Sequence, residues 1–125
     1  MAIRKIIFIL LFLAAFFNAA GQDHIELKDV ANHIGDSVTV CDIVTGGKFV
    51  PQFSITVLDM GGTFPNQLLT LIIRAETRKK LNFNPEEEFQ GKRICVSGKI
   101  FEYLGRHQIF ITDPRQLALA NKHIP

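Results

Sequence analysis

The 125 residues contain no pair of cysteines or histidines at metal-ligand spacing: there is no C-x-x-C and no H-x-x-x-H, and His24, His33, His107 and His123 are scattered along the chain. That excludes the common structural and catalytic zinc sites, and no metal or cofactor is expected. Only Cys41 and Cys95 could supply a thiol, and neither has a neighbouring base in sequence that would activate a thiolate. The stretch "LDMGGTFPNQ" has two glycines but matches no phosphate-binding loop. Linkers, low-complexity stretches and long repeats are absent as well, so the chain beyond its leader is expected to be one domain. These absences point to a domain that binds rather than catalyses.

Charge excess is also lacking once the amino end is set aside. Arg4 and Lys5 account for the whole formal charge of +2, so the remainder is neutral and exerts no general pull on polyanions. Those two residues open a pattern of their own. They precede an apolar run at 6–17, too short for the ~20 residues a membrane span needs, and small residues Ala19 and Gly21 follow. Residues 1–21 therefore read as a secretory signal peptide cleaved before Gln22, and 22–125 as an exported, periplasmic or secreted, domain. Export places Cys41 and Cys95 where a disulfide persists.

The rest reads as an all-β domain with closely spaced turns. Leu27, Val30, Ala31 and Ile34 predict a short lead-in helix stopped at Gly35. "SVTVCDIVTGG" predicts a first strand and "FVPQFSITVLDMGG" a second, the latter with Phe53, Ile55 and Val57 on one side and Ser54, Thr56 and Leu58 on the other. "NQLLTLIIRA" predicts a third, buried on one face and partly covered on the other. "AETRKKLNFNPEE" predicts an amphipathic helix anchored by Leu81 and Phe83 and stopped at Asn84-Pro85. A hairpin follows through Leu104-Gly105-Arg106, and "RQLALANKHIP" reads as a helical turn or frayed tail. Three strands, a helix and two strands is the order of a five-stranded OB-fold Greek-key barrel, with the helix between strands three and four. Asp42 and Gly98 are the expected bend positions of its long strands.

The segments "HIGDSVTVCDIV", "LDMGGTFPNQLLTLII" and "FQGKRICVSGKIFEYLGRHQIFITDP" resemble small OB-fold domains of the anticodon-binding and single-strand-binding type, found alone in exported bacterial proteins and beside nuclease domains. The resemblance implies the same barrel and nucleic-acid binding.

In such a barrel the ligand face lies over strands two and three, flanked by the loops after strands one and four. Here those loops are "TGGKFVPQ" and "YLGRHQ", making Lys48, Phe49, Tyr103, Arg106 and His107 the candidate ligand-binding residues. Phe49 and Tyr103 would stack on bases, and Lys48, Arg106 and His107 would meet phosphates. The face itself offers Ser54, Thr56 and Thr70, whereas Phe53 and Phe110 fall on the core alternation. Arg74, Arg78, Lys79 and Lys80 read as a solvated helix face, neutralised by an acidic loop at Glu86, Glu87 and Glu88. Cys41 and Cys95 share the outward alternation of neighbouring strands and pair if their α-carbons come within ~7 Å; the alternative is two free thiols beneath the lead-in helix. The expected partner is single-stranded nucleic acid or another polyanion, met by a monomer. The alternative is an envelope module that binds a protein.

Overall fold

Residues 23–120 are described by the computed structural model, so the leader expected at 1–21 and residues 121–125 lie outside the described residues. β1 (Asp23–Ile25) runs parallel to the start of β2, with Asp23 opposite Val38. The lead-in segment is a 3-10 helix, Leu27–Asn32, rather than an α-helix. It buries Leu27 and Val30 but leaves Ala31 and Ile34 exposed, and no side chain caps its first turn, so nothing extends it beyond a short piece.

β2 (Ser37–Val50) pairs antiparallel with β3 (Ile55–Met60), which pairs antiparallel with β4 (Leu69–Ile73). Two short helices follow, α1 (Ala75–Lys80) and α2 (Pro85–Glu88). The Asn84-Pro85 pair therefore starts a helix instead of stopping one, as suits proline at a first helical position. The acidic triplet lies in α2 rather than in a loop.

The second half of the sheet is β5 (Arg93–Lys99), β6 (Phe101–Tyr103) and β7 (Arg106–Ile111). Leu104 and Gly105 both have positive φ, 50° and 77°, the signature of the two-residue turn that suits a twisted hairpin. A capped 3-10 turn, Pro114–Gln116, then delivers β8 (Leu117–Leu119) onto β5, where a frayed tail or helical turn was expected.

The strand order is β6-β7-β4-β3-β2-β5-β8, with β1 attached to β2. β5 and β6 are separated in the chain only by Ile100, so β6, one end of this order, is joined covalently to the strand next to its other end and the sheet curls back on itself as a barrel. Eight strands stand where five were expected: the fourth expected strand is broken at Ile100, and β1 and β8 are added at the edges. Alternation along the strands sends Val40, Leu58, Leu71, Val96, Ile109 and Ile111 into a core that excludes solvent completely.

Two features shape the barrel. At Thr45 the pairing of β2 with β3 slips by one residue, from Val44 opposite Met60 to Gly46 opposite Asp59. The bulge bends β2 there, rather than at Asp42, which pairs regularly with Ile94. Gly98 lies opposite Val38, and a Cβ on it would stand 2.6 Å from Ile109 Cγ2. Its missing side chain lets β5 approach β7 across the seam of the barrel.

Cys41 and Cys95 face each other across β2 and β5 with α-carbons 4.0 Å apart and are joined in a disulfide. Residues from both ends of the described chain are thus held to one pair of strands, on the side of the barrel where β1 and β8 are added.

Candidate ligand groove

β3, β4 and β7 each turn one set of side chains to the core and the other to the outer face. The outer set is Ile55, Val57 and Asp59 on β3, Thr70 and Ile72 on β4, and Arg106, Gln108 and Phe110 on β7; the register aligns Asp59, Thr70 and Gln108 in one row and Val57, Ile72 and Phe110 in the next. Thr56 is fully buried on the opposite side, so it cannot meet a ligand; of the face expected from sequence, Thr70 belongs to it, and Ser54 lies in the turn before β3. Phe53 is 74% exposed in that same turn and Phe110 stands on the outer face, so neither is core. The hairpin completes the surface, with Phe101 and Tyr103 of β6 opposite Gln108 and Arg106.

A groove of about 600 Å³ runs over this face. Its floor is Ile55, Val57, Thr70 and Ile72, and its walls carry Lys48, Asp59, Phe64, Gln67 and Arg106. A second depression of about 400 Å³, lined by Phe101, Tyr103 and Phe110, shares Ile72 and Gln108 with it, so the two form one continuous surface.

The loop after β3 supplies one wall. Thr45, the bulged residue, donates its hydroxyl to Asp59 O and Gly62 O, tying the start of that loop to β2. This sets Phe64 at the rim, 64% exposed, with the Arg106 guanidinium 4.8 Å from its ring centre. Aromatic rings, which alternation alone does not place on this face, are its main feature: exposed Phe101 and half-buried Phe110 meet edge-on at 5.6 Å, and Lys99 and Arg74 lie over their rings.

Asp59 is the unusual polar group. Only 8% of it reaches solvent, and burial pushes its carboxyl above the ordinary carboxylate range while Lys48 and Arg106 pull against that. Its Oδ1 and the Oε1 of Gln67 are, among the described residues, the two buried side-chain atoms without a hydrogen-bond partner. The Gln67 amide donates to Thr70 Oγ1 at 3.0 Å, which holds Oε1 in place.

Of the five candidates drawn from sequence, the structure brings Lys48 and Arg106 to the main groove and Tyr103 to its extension. Lys48 and Phe49 lie on β2 itself, which continues to Val50, not in a loop. Phe49 turns the other way, opposite Thr56, with the Arg78 guanidinium 4.4 Å from its ring centre. His107 lies on the Ile109 side of β7, 3.6 Å from Glu102 across the hairpin, and faces away from the groove. Arg78 is not part of a solvated helix face: it is 18% exposed, holds Glu86 through two contacts of 2.6 and 3.1 Å and also donates to Asn84 and Thr56. That hydrogen bonding holds the Glu86 carboxyl below its ordinary range.

A larger concavity, about 800 Å³, lies beside β1 and the disulfide. It carries Lys28, Asp42 and Arg93 but no phenylalanine or tyrosine, so it lacks a stacking platform. Among the described residues no group of three or more His, Cys, Asp or Glu side chains is placed to hold a metal ion.

No family model matches the sequence, and no curated protein sequence matches it. Solved structures do. A chain assigned as an aspartyl-tRNA synthetase from Leishmania major Friedlin superposes with a TM-score of 0.54 at 8% identity, over 81% of this chain and 21% of that one. The likeness is one of fold. This chain spans about one fifth of that chain's length.

Proposed function

We propose that this is an exported, monomeric OB-fold domain that binds single-stranded nucleic acid along the outer face of β2, β3, β4, β7 and β6, without catalysis. One observation carries the reading: a continuous surface whose apolar floor is flanked by Lys48 and Arg106 and bordered by the rings of Phe64, Phe101, Tyr103 and Phe110. Strand binders combine these two elements, cations for the backbone and rings for the bases. Local charge stands in for the missing net charge, because Lys48 and Arg106 lie on the face that carries the rings. The barrel likeness to part of a tRNA synthetase supports the fold, and the Cys41–Cys95 bond suits an oxidising compartment.

Fluorescence anisotropy of labelled ten-residue oligonucleotides tests the reading. Binding is expected at low salt, weakening steeply as salt is raised. Phe64→Ala is expected to reduce affinity by about tenfold, within the range for loss of one base stack. Absence of binding to DNA and RNA at low salt overturns it, leaving the same face to an envelope protein.

A further inference from the structure

The groove contains two hydrogen-bond acceptors that the protein does not use. Asp59 Oδ1 and Gln67 Oε1 are buried, lack partners among the described residues and line the same wall. An unpartnered buried acceptor is costly to keep, and both are held rigidly: Asp59 sits in the middle of the ladder between Gly46 and Thr70, and Gln67 is fixed through Thr70. Both residues line the groove, and the residue opposite Asp59 on β2 is Gly46, which puts no side chain over the carboxylate. The complement of this wall is a flat group that presents adjacent N–H donors, with a ring to lie against Phe64.

Nucleobases differ in this respect. Uracil and thymine present one donor between two acceptors. Cytosine and adenine present one exocyclic amine next to a ring acceptor. Guanine alone places two donors, N1–H and N2–H, side by side, followed by the O6 acceptor, for which Lys48 and Arg106 are the nearby donors. Acidic side chains read amine donors on bases in the same sense.

We infer that the groove is a guanine-preferring base pocket, in which Asp59 and Gln67 accept from the Watson–Crick edge of one unpaired guanine. The inference rests on the nucleic-acid reading above and adds its base specificity. A thymine or uracil in the pocket would set carbonyl oxygens against the Asp59 carboxylate, so the same group that selects guanine rejects them.

The test is anisotropy with thymidine nine-mers carrying a single central guanine, hypoxanthine or no substitution, on the disulfide-bonded protein. The guanine oligomer is expected to bind about tenfold more tightly than the all-thymine one, the size of one good base-edge contact. Hypoxanthine lacks the N2 amine and is expected to lose most of that gain, a comparison made entirely on wild-type protein. Asp59→Asn, which puts a donor where an acceptor stood, is expected to bring guanine and thymine within about twofold. Lys48→Ala is expected to flatten the salt dependence and weaken all three oligomers, the guanine and hypoxanthine ones more, because both carry the O6 acceptor. Equal binding of guanine and thymine oligomers, or a guanine preference that survives Asp59→Asn, overturns this inference and leaves the nucleic-acid reading standing. No binding of any oligomer at low salt overturns both.

Discussion

Gln116 closes the seam of the barrel, and its removal gives a prediction whose size can be worked from contacts. β5 and β7 are not paired to each other in the sheet, yet the Gln116 amide donates to Ser97 O on β5 at 2.9 Å and to Phe110 O on β7 at 3.0 Å. Its carbonyl oxygen accepts from the backbone N–H groups of Thr112 at 2.8 Å and Asp113 at 3.0 Å. Three of the four contacts are part-buried and one is exposed. At ~1 kcal/mol net per part-buried bond, and little for the exposed one that water replaces, Gln116→Ala is expected to cost about 3 kcal/mol. Gln116→Glu keeps the accepting half and sets a carboxylate against Ser97 O and Phe110 O. It is therefore expected to be at least as destabilising at neutral pH and to recover in acid, when the protonated carboxyl regains one donor. Urea unfolding of the oxidised protein, followed by near-ultraviolet circular dichroism, reads both variants. For a domain of this size a loss of that order lowers the melting temperature by more than ~10 °C. If Gln116→Ala costs under about 0.5 kcal/mol, or Glu behaves as Gln does across the pH range, the seam is closed by packing alone and the reasoning fails.

Arg78 joins α1 to α2 and to the barrel floor, so Arg78→Ala is expected to cost about 3 kcal/mol by leaving the mostly buried Glu86 carboxylate without its partner; thermal unfolding that matches wild type would contradict this. Arg78→Lys keeps the charge but loses the fork and the stack on Phe49, and is expected to restore less than half of the loss. Asp113, its side chain 40% exposed, is held by Arg115 at about 2, below its ordinary 3.8, so its ionised form stabilises the fold above the ordinary value. That contribution is lost as pH falls from 3.8 toward 2, and Asp113→Asn should flatten this part of a stability-against-pH curve. A curve for Asp113→Asn that keeps the wild-type slope there would show that other carboxylates govern acid unfolding.

How much of this was legible in the sequence depends on how local each cause is. Strand identity follows from two-residue alternation and Val/Ile content, so β2, β3, β4 and the β6–β7 hairpin emerge from pattern alone. Arg106 and Lys48 were found because they sit beside glycine-marked turns and bends. The short edge strands β1 and β8 were not legible, since three residues carry no periodicity and pair only because a neighbour offers an edge. Asp59, Phe64 and Gln67 were missed because "LDMGGTFPNQ" reads as a turn, and nothing in the local sequence tells that its rim faces a groove. Alternation tells which residues share a side but not which side is core, so Thr56 was assigned to the face, although it is buried with Leu58, and Phe110 to the core.

The bulge at Thr45 works like a frameshift in the phase of the side chains. Before it, even-numbered residues of β2 such as Val38, Val40 and Val44 point inward; after it, Lys48 points outward and Phe49 takes the opposite side, against Thr56. One strand therefore carries two different reading frames, one written for the core and one for the groove. Deleting Thr45 would therefore not exchange the facings of Lys48 and Phe49: it would join Val44, opposite Met60, directly to Gly46, opposite Asp59, merging the two frames into one regular ladder and removing the bend, while the ammonium stays at the groove and the ring stays against Arg78.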